Sequence, residues 1–309
     1  MVRHFLTMTD LSAGELRHLL REAVLHKQRR SYGQGALKGK TIALVFQKPS
    51  MRTRVSFEVA VTQLGGSATY LGQEDIQLGA REPIKDVARV LSRYVDGIVV
   101  RTFAHQNVEE CATYASVPVI NGLSDLVHPC QALADLMTIQ EQMGRLNSVR
   151  VCYIGDGNNV LHALAEGCGL LGLQLSVSTP PRYKPDPALW RSAVRLANAH
   201  GGALRWDADP HRAVRGAQVV YTDVWTSMGK EGERSQRRRV FMPYQVNQAL
   251  LRLAAPGYRV MHCLPAHRGE EMTDQVMESK HSIIFEQAEN RLHAQKALLV
   301  HLLATTQPR

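Results

Sequence analysis

Cysteine is scarce and unpatterned. Cys111, Cys130, Cys152, Cys168 and Cys263 are odd in number and scattered, with no CxxC pair. That argues against a disulfide framework and against a structural zinc site, and it suits a reducing compartment. Long apolar runs are missing too. The opening Met1-Val-Arg-His-Phe-Leu-Thr-Met-Thr-Asp-Leu-Ser12 has no apolar stretch of signal-peptide length. No later run approaches the roughly 18 apolar residues a membrane span needs. These absences predict a cytoplasmic protein that meets no membrane. The formal charge of +9 fits nucleic acid, an anionic small molecule or plain solubility. The densest basic run, Arg234-Ser-Gln-Arg237-Arg238-Arg239, is short, lacks interleaved aromatics and lies between turn-like segments, so it reads as a solvated loop.

What remains is an ordinary globular composition, 44% hydrophobic and 21% charged over 309 residues, a length that predicts two domains. Ser12 and Glu15 form a capping-box pattern before an amphipathic helix over Ala13–Gln28. Thr41–Phe46 is an apolar run of buried-strand type, followed by a polar loop and a helix over Val55–Leu64. Strands near Ala68–Leu71, Gly97–Arg101 and Val117–Asn121 then alternate with helices over Ile84–Tyr94, Val108–Tyr114 and Cys130–Met143. The alternation resumes at Arg150–Ile154, with strands at Leu173–Ser178, Ala203–Trp206, Gln218–Thr222 and Tyr258–His262 and helices over Val160–Leu171, Ala188–Ala199, Tyr244–Leu253 and finally Arg291–Leu303. The pattern predicts an α/β fold of two doubly wound parallel-sheet domains, joined by the helix near residues 130–143 and crossed again by the last helix. In such sheets ligands bind beyond the carboxyl ends of the strands, so polar residues just after strands carry the functional weight.

Lys48-Pro-Ser50-Met51-Arg52-Thr53-Arg54 follows the first strand and leads into a helix. Two hydroxyls, two guanidiniums and the free N–H groups of a helix start are the means of holding a phosphate; capping plus solvated arginines is the plainer alternative. Arg101 ends a buried strand, where a cation favours a ligand over a simple ion pair. His128-Pro129-Cys130-Gln131 also lies at a strand-to-helix junction. Gly155-Asp156-Gly157-Asn158-Asn159 invites a dinucleotide reading that fails twice: Val160 stands at the third small position, and Ser176–Pro180 offers no acid for a ribose. Asn159 can instead meet a carboxylate. Asp223 ends a strand before Trp225-Thr226-Ser227-Met228-Gly229 and suits an ammonium group or a turn cap. His262-Cys263-Leu264-Pro265 ends another strand, without the spacing of a known thiol nucleophile.

Ser50-Met-Arg-Thr-Arg54, His128-Pro-Cys-Gln131, Asp223-Val-Trp-Thr-Ser-Met-Gly229 and His262-Cys-Leu-Pro265, in this order and over nearly the whole chain, resemble the ornithine carbamoyltransferases. The first two motifs mark carbamoyltransferases at large, and the last two look like the ornithine-specific branch. The resemblance implies carbamoyl transfer from carbamoyl phosphate to the side-chain amine of ornithine, giving citrulline and phosphate in arginine metabolism, without metal or organic cofactor. It assigns residues 1–143 to carbamoyl phosphate, 144–288 to ornithine and 289–309 to a helix packing back on the N-terminal domain. Ser50, Arg52, Thr53 and Arg101 would hold the phosphate, with Met51 giving its backbone N–H; the family often has threonine there, so one hydroxyl is missing. Gln77 matches a residue that reaches a phosphate in the neighbouring subunit, which implies a homotrimer or a multiple of trimers. His128 and Arg101 would face the carbamoyl oxygen, and Gln131, Arg291 and the backbone of Cys263 and Leu264 would orient the carbamoyl end. Leu123, Asn159, Asp223, Ser227 and Met228 would contact ornithine. Arg52, Arg101, His128 and Cys263 are thus the expected catalytic set, while Arg54, four residues before Glu58, serves structure.

The reaction implied needs a neutral amine and donors at a developing oxyanion, so activity is expected to rise from neutral to mildly alkaline pH. Three other readings stand beside it: another amine acceptor such as putrescine or a modified ornithine, a nucleotide-dependent oxidoreductase, and a basic nucleic-acid-binding module. The small-molecule reading, with no nucleic acid partner, is the one the motifs favour.

Overall fold

Thr41–Phe46 is apolar on both faces, and it forms strand β1 with all but its first residue buried, as a strand covered by helices on both sides must be. A computed structural model describes residues 2–76, 82–227, 229 and 231–304. The chain divides into two compact units, Met1–Met137 with Asn290–Arg309, and Thr138–Glu289.

In the first unit helix α1 (Ala13–Gln28) opens on the Ser12/Glu15 capping box. After β1 come α2 (Met51–Gln63), β2 (Ser67–Leu71), α3 (Gln73–Ile76), α4 (Ile84–Leu91), β3 (Gly97–Arg101), α5 (His105–Tyr114), β4 (Val119–Leu123) and α6 (Pro129–Met143). The sheet is parallel, in the order β2-β1-β3-β4. One side of its core joins Val45, Ile98 and Val100 to Ile84, Val87 and Val108, and each such fully buried side chain contributes about 1.5–3 kcal/mol.

The second unit holds β5 (Arg150–Ile154), α7 (Asn159–Leu171), β6 (Gln174–Ser178), α8 (Pro187–Ala199), β7 (Ala203–Trp206), α9 (Pro210–Ala213), β8 (Val219–Thr222), α10 (Arg234–Phe241), α11 (Gln248–Leu251), β9 (Arg259–His262) and α12 (Asp274–Met277). Helix α13 (Ile284–Leu303) follows, and the chain crosses between units inside α6 and again inside α13. The second sheet is also parallel, ordered β7-β6-β5-β8-β9. Two parallel-sheet α/β units are what the alternation predicts.

Three local expectations are corrected. The basic run is helical, not a solvated loop: Arg237 and Phe241, one turn apart, are both buried and give α10 its inner face. The helix expected over Tyr244–Leu253 shrinks to α11, because Val246 pairs with Met272 through the Glu271 carbonyl and Asn247 then caps a fresh helix start. The last helix begins at Ile284 rather than Arg291, since Ile284, Gln287 and Asn290 continue its buried face. Among the described residues no helix is long and apolar enough to cross a membrane.

Candidate functional site

Each sheet has one point where neighbouring strands send their connections to opposite sides. In the first it lies between β1 and β3, where Phe46 and Arg101 are register partners. In the second it lies between β5 and β8, where Ile154 pairs with Thr222. Loops leaving such a point diverge and open a crevice at the strands' carboxyl ends.

At the first switch point Ser50 caps α2, its hydroxyl accepting from the Thr53 N–H at 3.3 Å. Thr53 is buried, and its Oγ1 is the meeting point of the site. It lies 3.2 Å from the Ser50 hydroxyl, 3.1 Å from Arg291 Nη2 and 3.5 Å from Arg101 Nη1. Arg291 extends its other arm to Gln131 Oε1 at 2.7 Å, and the Gln131 amide donates to Asp135 at 2.8 Å. Arg101 is 8% exposed and Arg291 5%, so two guanidiniums share one buried polar pocket around Thr53. That is an electrostatic setting for a small anion.

Arg101 owes its place to a slip in register: Val100 pairs with Asn121 but Arg101 with Leu123, so the ladder skips Gly122. A Cβ at Gly122 would stand 3.1 Å from the Val99 side chain and 3.3 Å from the Val100 carbonyl. His128 is buried immediately before α6, and its Nδ1 has no hydrogen-bond partner among the described residues. Burial, then the charges of Arg291 and Arg101, hold the imidazole well below the ordinary histidine range. It is therefore neutral at pH 7, fit to donate a hydrogen bond rather than to carry charge. Burial pushes the neighbouring Cys130 thiol up to about 12, so it stays protonated and donates to the Asn121 carbonyl at 3.3 Å.

Met51 and Arg52 occupy the first turn of α2; Met51 is 71% exposed and Arg52 half-buried. Arg54 pairs with Glu58 at 3.0 Å and stacks on Tyr70, the structural role expected of it. Leu123 ends β4, half-buried. Lys48 is buried just ahead of Ser50, ion-paired to Asp125 and stacked on Phe103. Gln77 lies outside the described residues, as does Met228.

At the second switch point Asp223 is 4% exposed, and both its oxygens are engaged. Oδ1 accepts from the Cys263 thiol at 2.9 Å, and Oδ2 accepts from the Asn158 amide at 2.7 Å. Asn158 also caps α7, its Oδ1 taking the N–H groups of Val160 and Leu161. Asn159 is the first residue of α7, and Ser227 lies beyond Trp225 after β8, both half-buried. The glycines after β5 serve packing: a Cβ at Gly157 would fall 2.3 Å from the Lys184 carbonyl carbon. Cys263 and Leu264 follow β9 in this same unit, with Leu264 at φ +58° before a cis proline.

Thus the structure joins Ser50, Thr53, Arg101, Gln131 and Arg291 directly, keeps His128 within their electrostatic reach, and separately joins Asp223 to Cys263. Asn158, Asp135 and Arg237 bond to these residues or to the loops that bear them, and were not expected from the sequence. Asparagine before a helix is a cap signal, and Asp135 stands one helical turn after Gln131; both cues were available. Arg237, hidden in a basic run, gave none. It is 2% exposed, paired with Asp156 at 2.5 Å and bonded to the Trp225 carbonyl, and so ties the loop after β5 to the segment after β8. Among the described residues two groups of potential metal donors each lie within 4.8 Å: Asp223 with His262 and Cys263, and His267 with Glu270 and Glu271. In both, donor atoms are already spent on internal bonds, His262 through both ring nitrogens and Glu270 on Arg234.

Residues 3–141 match the family described as aspartate/ornithine carbamoyltransferase, carbamoyl-P binding domain, and residues 147–302 match its Asp/Orn binding domain. The ornithine carbamoyltransferase of Archaeoglobus fulgidus is 52% identical over 304 residues, covering 98% of either chain. The relative from Pyrococcus furiosus named ornithine carbamoyltransferase, anabolic, is 52% identical over 96% of this chain and 95% of its own. A solved ornithine carbamoyltransferase from Pyrococcus furiosus superposes with TM-score 0.95 at 51% identity, covering 99% of this chain and 98% of that one. The enzyme from Thermus thermophilus does so with TM-score 0.89 at 46% identity, covering 98% and 99%.

Proposed function

The chain belongs to the aspartate/ornithine carbamoyltransferase family, and from that premise we infer that it is an ornithine carbamoyltransferase, making L-citrulline and phosphate from carbamoyl phosphate and L-ornithine in arginine metabolism. The observation that carries the reading is the convergence of Arg101, Arg291, Ser50 and Thr53 on one buried point at a sheet switch point.

The phosphate takes the Ser50 and Thr53 hydroxyls, the N–H groups of the first turn of α2, and the charges of Arg52 and Arg101. The carbamoyl oxygen faces Arg101 and the neutral His128, whose donors strengthen as that oxygen gains negative charge. Gln131, Arg291 and the backbone of Cys263 and Leu264 orient the carbamoyl amide. Ornithine is held by Leu123, Asn159, Asp223, Ser227 and Met228. Its neutral side-chain amine attacks the carbonyl carbon, the bond to the bridging oxygen breaks, and phosphate departs with that electron pair and takes the amine's proton. The buried Asp223 carboxylate, held by the half-buried Cys263 thiol, offers a fixed negative charge for the amino-acid substrate.

The direction of the reaction is citrulline formation, the sense in which the Pyrococcus furiosus relative is named. The working assembly is a trimer or a multiple of trimers, completed by Gln77 from a neighbour, and its home is the cytoplasm. Four of the five cysteines are buried as free thiols, which a reducing compartment preserves. The test is a citrulline assay with carbamoyl phosphate and ornithine, run beside aspartate and putrescine as competing acceptors. Ornithine turnover at least about 100-fold above either competitor, roughly the discrimination a few lost polar contacts give, supports the reading. Preference for putrescine moves it to another amine acceptor.

A further inference from the structure

We propose that Glu271 is a positioning residue for carbamoyl transfer, acting through His262 to hold the Cys263–Leu264 turn. The inference rests on the function proposed above and adds a residue that lies behind the reacting groups.

Glu271 and His262 are both 0% exposed. The hydrogen bonds of Glu271 are all concentrated on one oxygen, Oε2 having no hydrogen-bond partner among the described residues. Glu271 Oε1 receives two, from His262 Nε2 at 3.0 Å and from the backbone N–H of His267 at 2.6 Å. On the far edge of the ring, the Leu264 N–H points at His262 Nδ1, 2.8 Å away. A backbone N–H can only donate, so Nδ1 is the bare nitrogen and the ring proton sits on Nε2, aimed at the carboxylate. Glu271, which only accepts, selects that tautomer. In the other tautomer two N–H groups would face each other across the Nδ1 contact.

Leu264 needs the support. It adopts φ +58°, a left-handed conformation that a branched side chain reaches only when its surroundings impose it. The bond to Nδ1 is the restraint, and the main chain that carries the ring is itself anchored, because the His262 backbone N–H donates to Gln287 Oε1 at 2.9 Å. The element so held carries the Cys263 thiol on Asp223 and the two backbone units assigned to the carbamoyl end. A shift of about 1 Å at such a turn can slow a reaction roughly 100-fold without weakening a phosphate site formed by other residues.

The experiment compares Glu271→Ala, Glu271→Gln, His262→Asn and His262→Gln by citrulline kinetics, inorganic-phosphate binding and thermal melting. An asparagine oxygen stands where Nδ1 did and can still receive the Leu264 N–H; a glutamine amide stands where Nε2 did and cannot. Glu271→Ala is expected to lower kcat by about tenfold or more while the phosphate Kd stays within about twofold. Glu271→Gln, whose amide oxygen still accepts from Nε2, should recover to within about threefold of the native rate. His262→Asn should outperform His262→Gln at equal melting temperature. Native kcat in Glu271→Ala, or equal losses in the two His262 variants, would overturn the proposal, and the His262 pair decides if Glu271→Ala does not fold. Absence of citrulline formation by the unaltered protein would instead sink the functional reading, a separate outcome.

Discussion

At position 51 a methionine side chain, 71% exposed, stands at the first turn of the helix proposed to hold the phosphate at its N-terminus. It adds no donor there. A hydrogen bond to a charged group contributes about 1.5–3 kcal/mol, so Met51→Thr is expected to lower the KM for carbamoyl phosphate about tenfold with kcat little changed. An unchanged KM would mean that a hydroxyl at this place does not reach the ligand. Arg52 is the opposite case, a half-buried cation on the same turn. Arg52→Ala should cut kcat by about 100-fold or more, the scale on which one lost oxyanion donor acts, with the melting temperature nearly unmoved. Near-native turnover in a folded variant would remove Arg52 from the site. These residues were legible because their motif follows a strand and opens a helix. Asp135 and Asn158 carried only cues of position, a helical turn after Gln131 and a cap before a helix, because each acts by orienting a neighbour, Gln131 in one case and Asp223 in the other.

The elements show where local pattern suffices and where it fails. Strands β1, β3, β5 and β7 lie at the residues expected, because a short apolar run bounded by turn residues has few other uses in an alternating chain. Helix α10 was hidden because its inner face is made by an arginine. Arg237 stacks on Tyr183 and Phe241 and bonds to Asp156 and to the Trp225 carbonyl, so charge and burial coexist where composition alone reads solvent. Removing one partner of a buried pair leaves the other charge uncompensated, a loss of about 3–5 kcal/mol. Arg237→Ala is therefore expected to destabilise the second unit by that amount in urea unfolding followed by tryptophan fluorescence. It should also raise the KM for ornithine, because the residue ties together the loops bearing Asn158 and Ser227. A variant with weakened stability but native ornithine KM would confine Arg237 to a structural role.

At the scale of the molecule, acid sensitivity follows from buried histidines. His4, His26, His105, His128 and His301 are all held below the ordinary histidine value, each chiefly by burial, and all belong to the first unit. His26, pressed further by Lys296, falls to about 4 from an ordinary 6.5. The unfolded chain thus takes up protons near pH 6.5, whereas in the folded first unit each of these histidines resists them to lower pH, His26 until about pH 4. Stability from these groups is complete above about 6.5 and is lost as pH falls through that interval. Glu15 has the same sign but acts lower: its bonds to Arg3 and Ser12 hold it at about 2, so its contribution goes only as pH drops from 4.5 toward that value. All three tryptophans, Trp190, Trp206 and Trp225, lie in the second unit, so fluorescence does not see the acid-sensitive one. Melting followed by far-ultraviolet circular dichroism should therefore lose several degrees between pH 7 and pH 5, as a shift of about 1 kcal/mol or more gives, while melting followed by tryptophan emission moves less. His26→Phe, which keeps an aromatic ring and removes the titrating nitrogens, should flatten the circular-dichroism dependence. Equal acid shifts in both signals, unaltered by that substitution, would place the acid-sensitive groups outside the first unit's buried histidines.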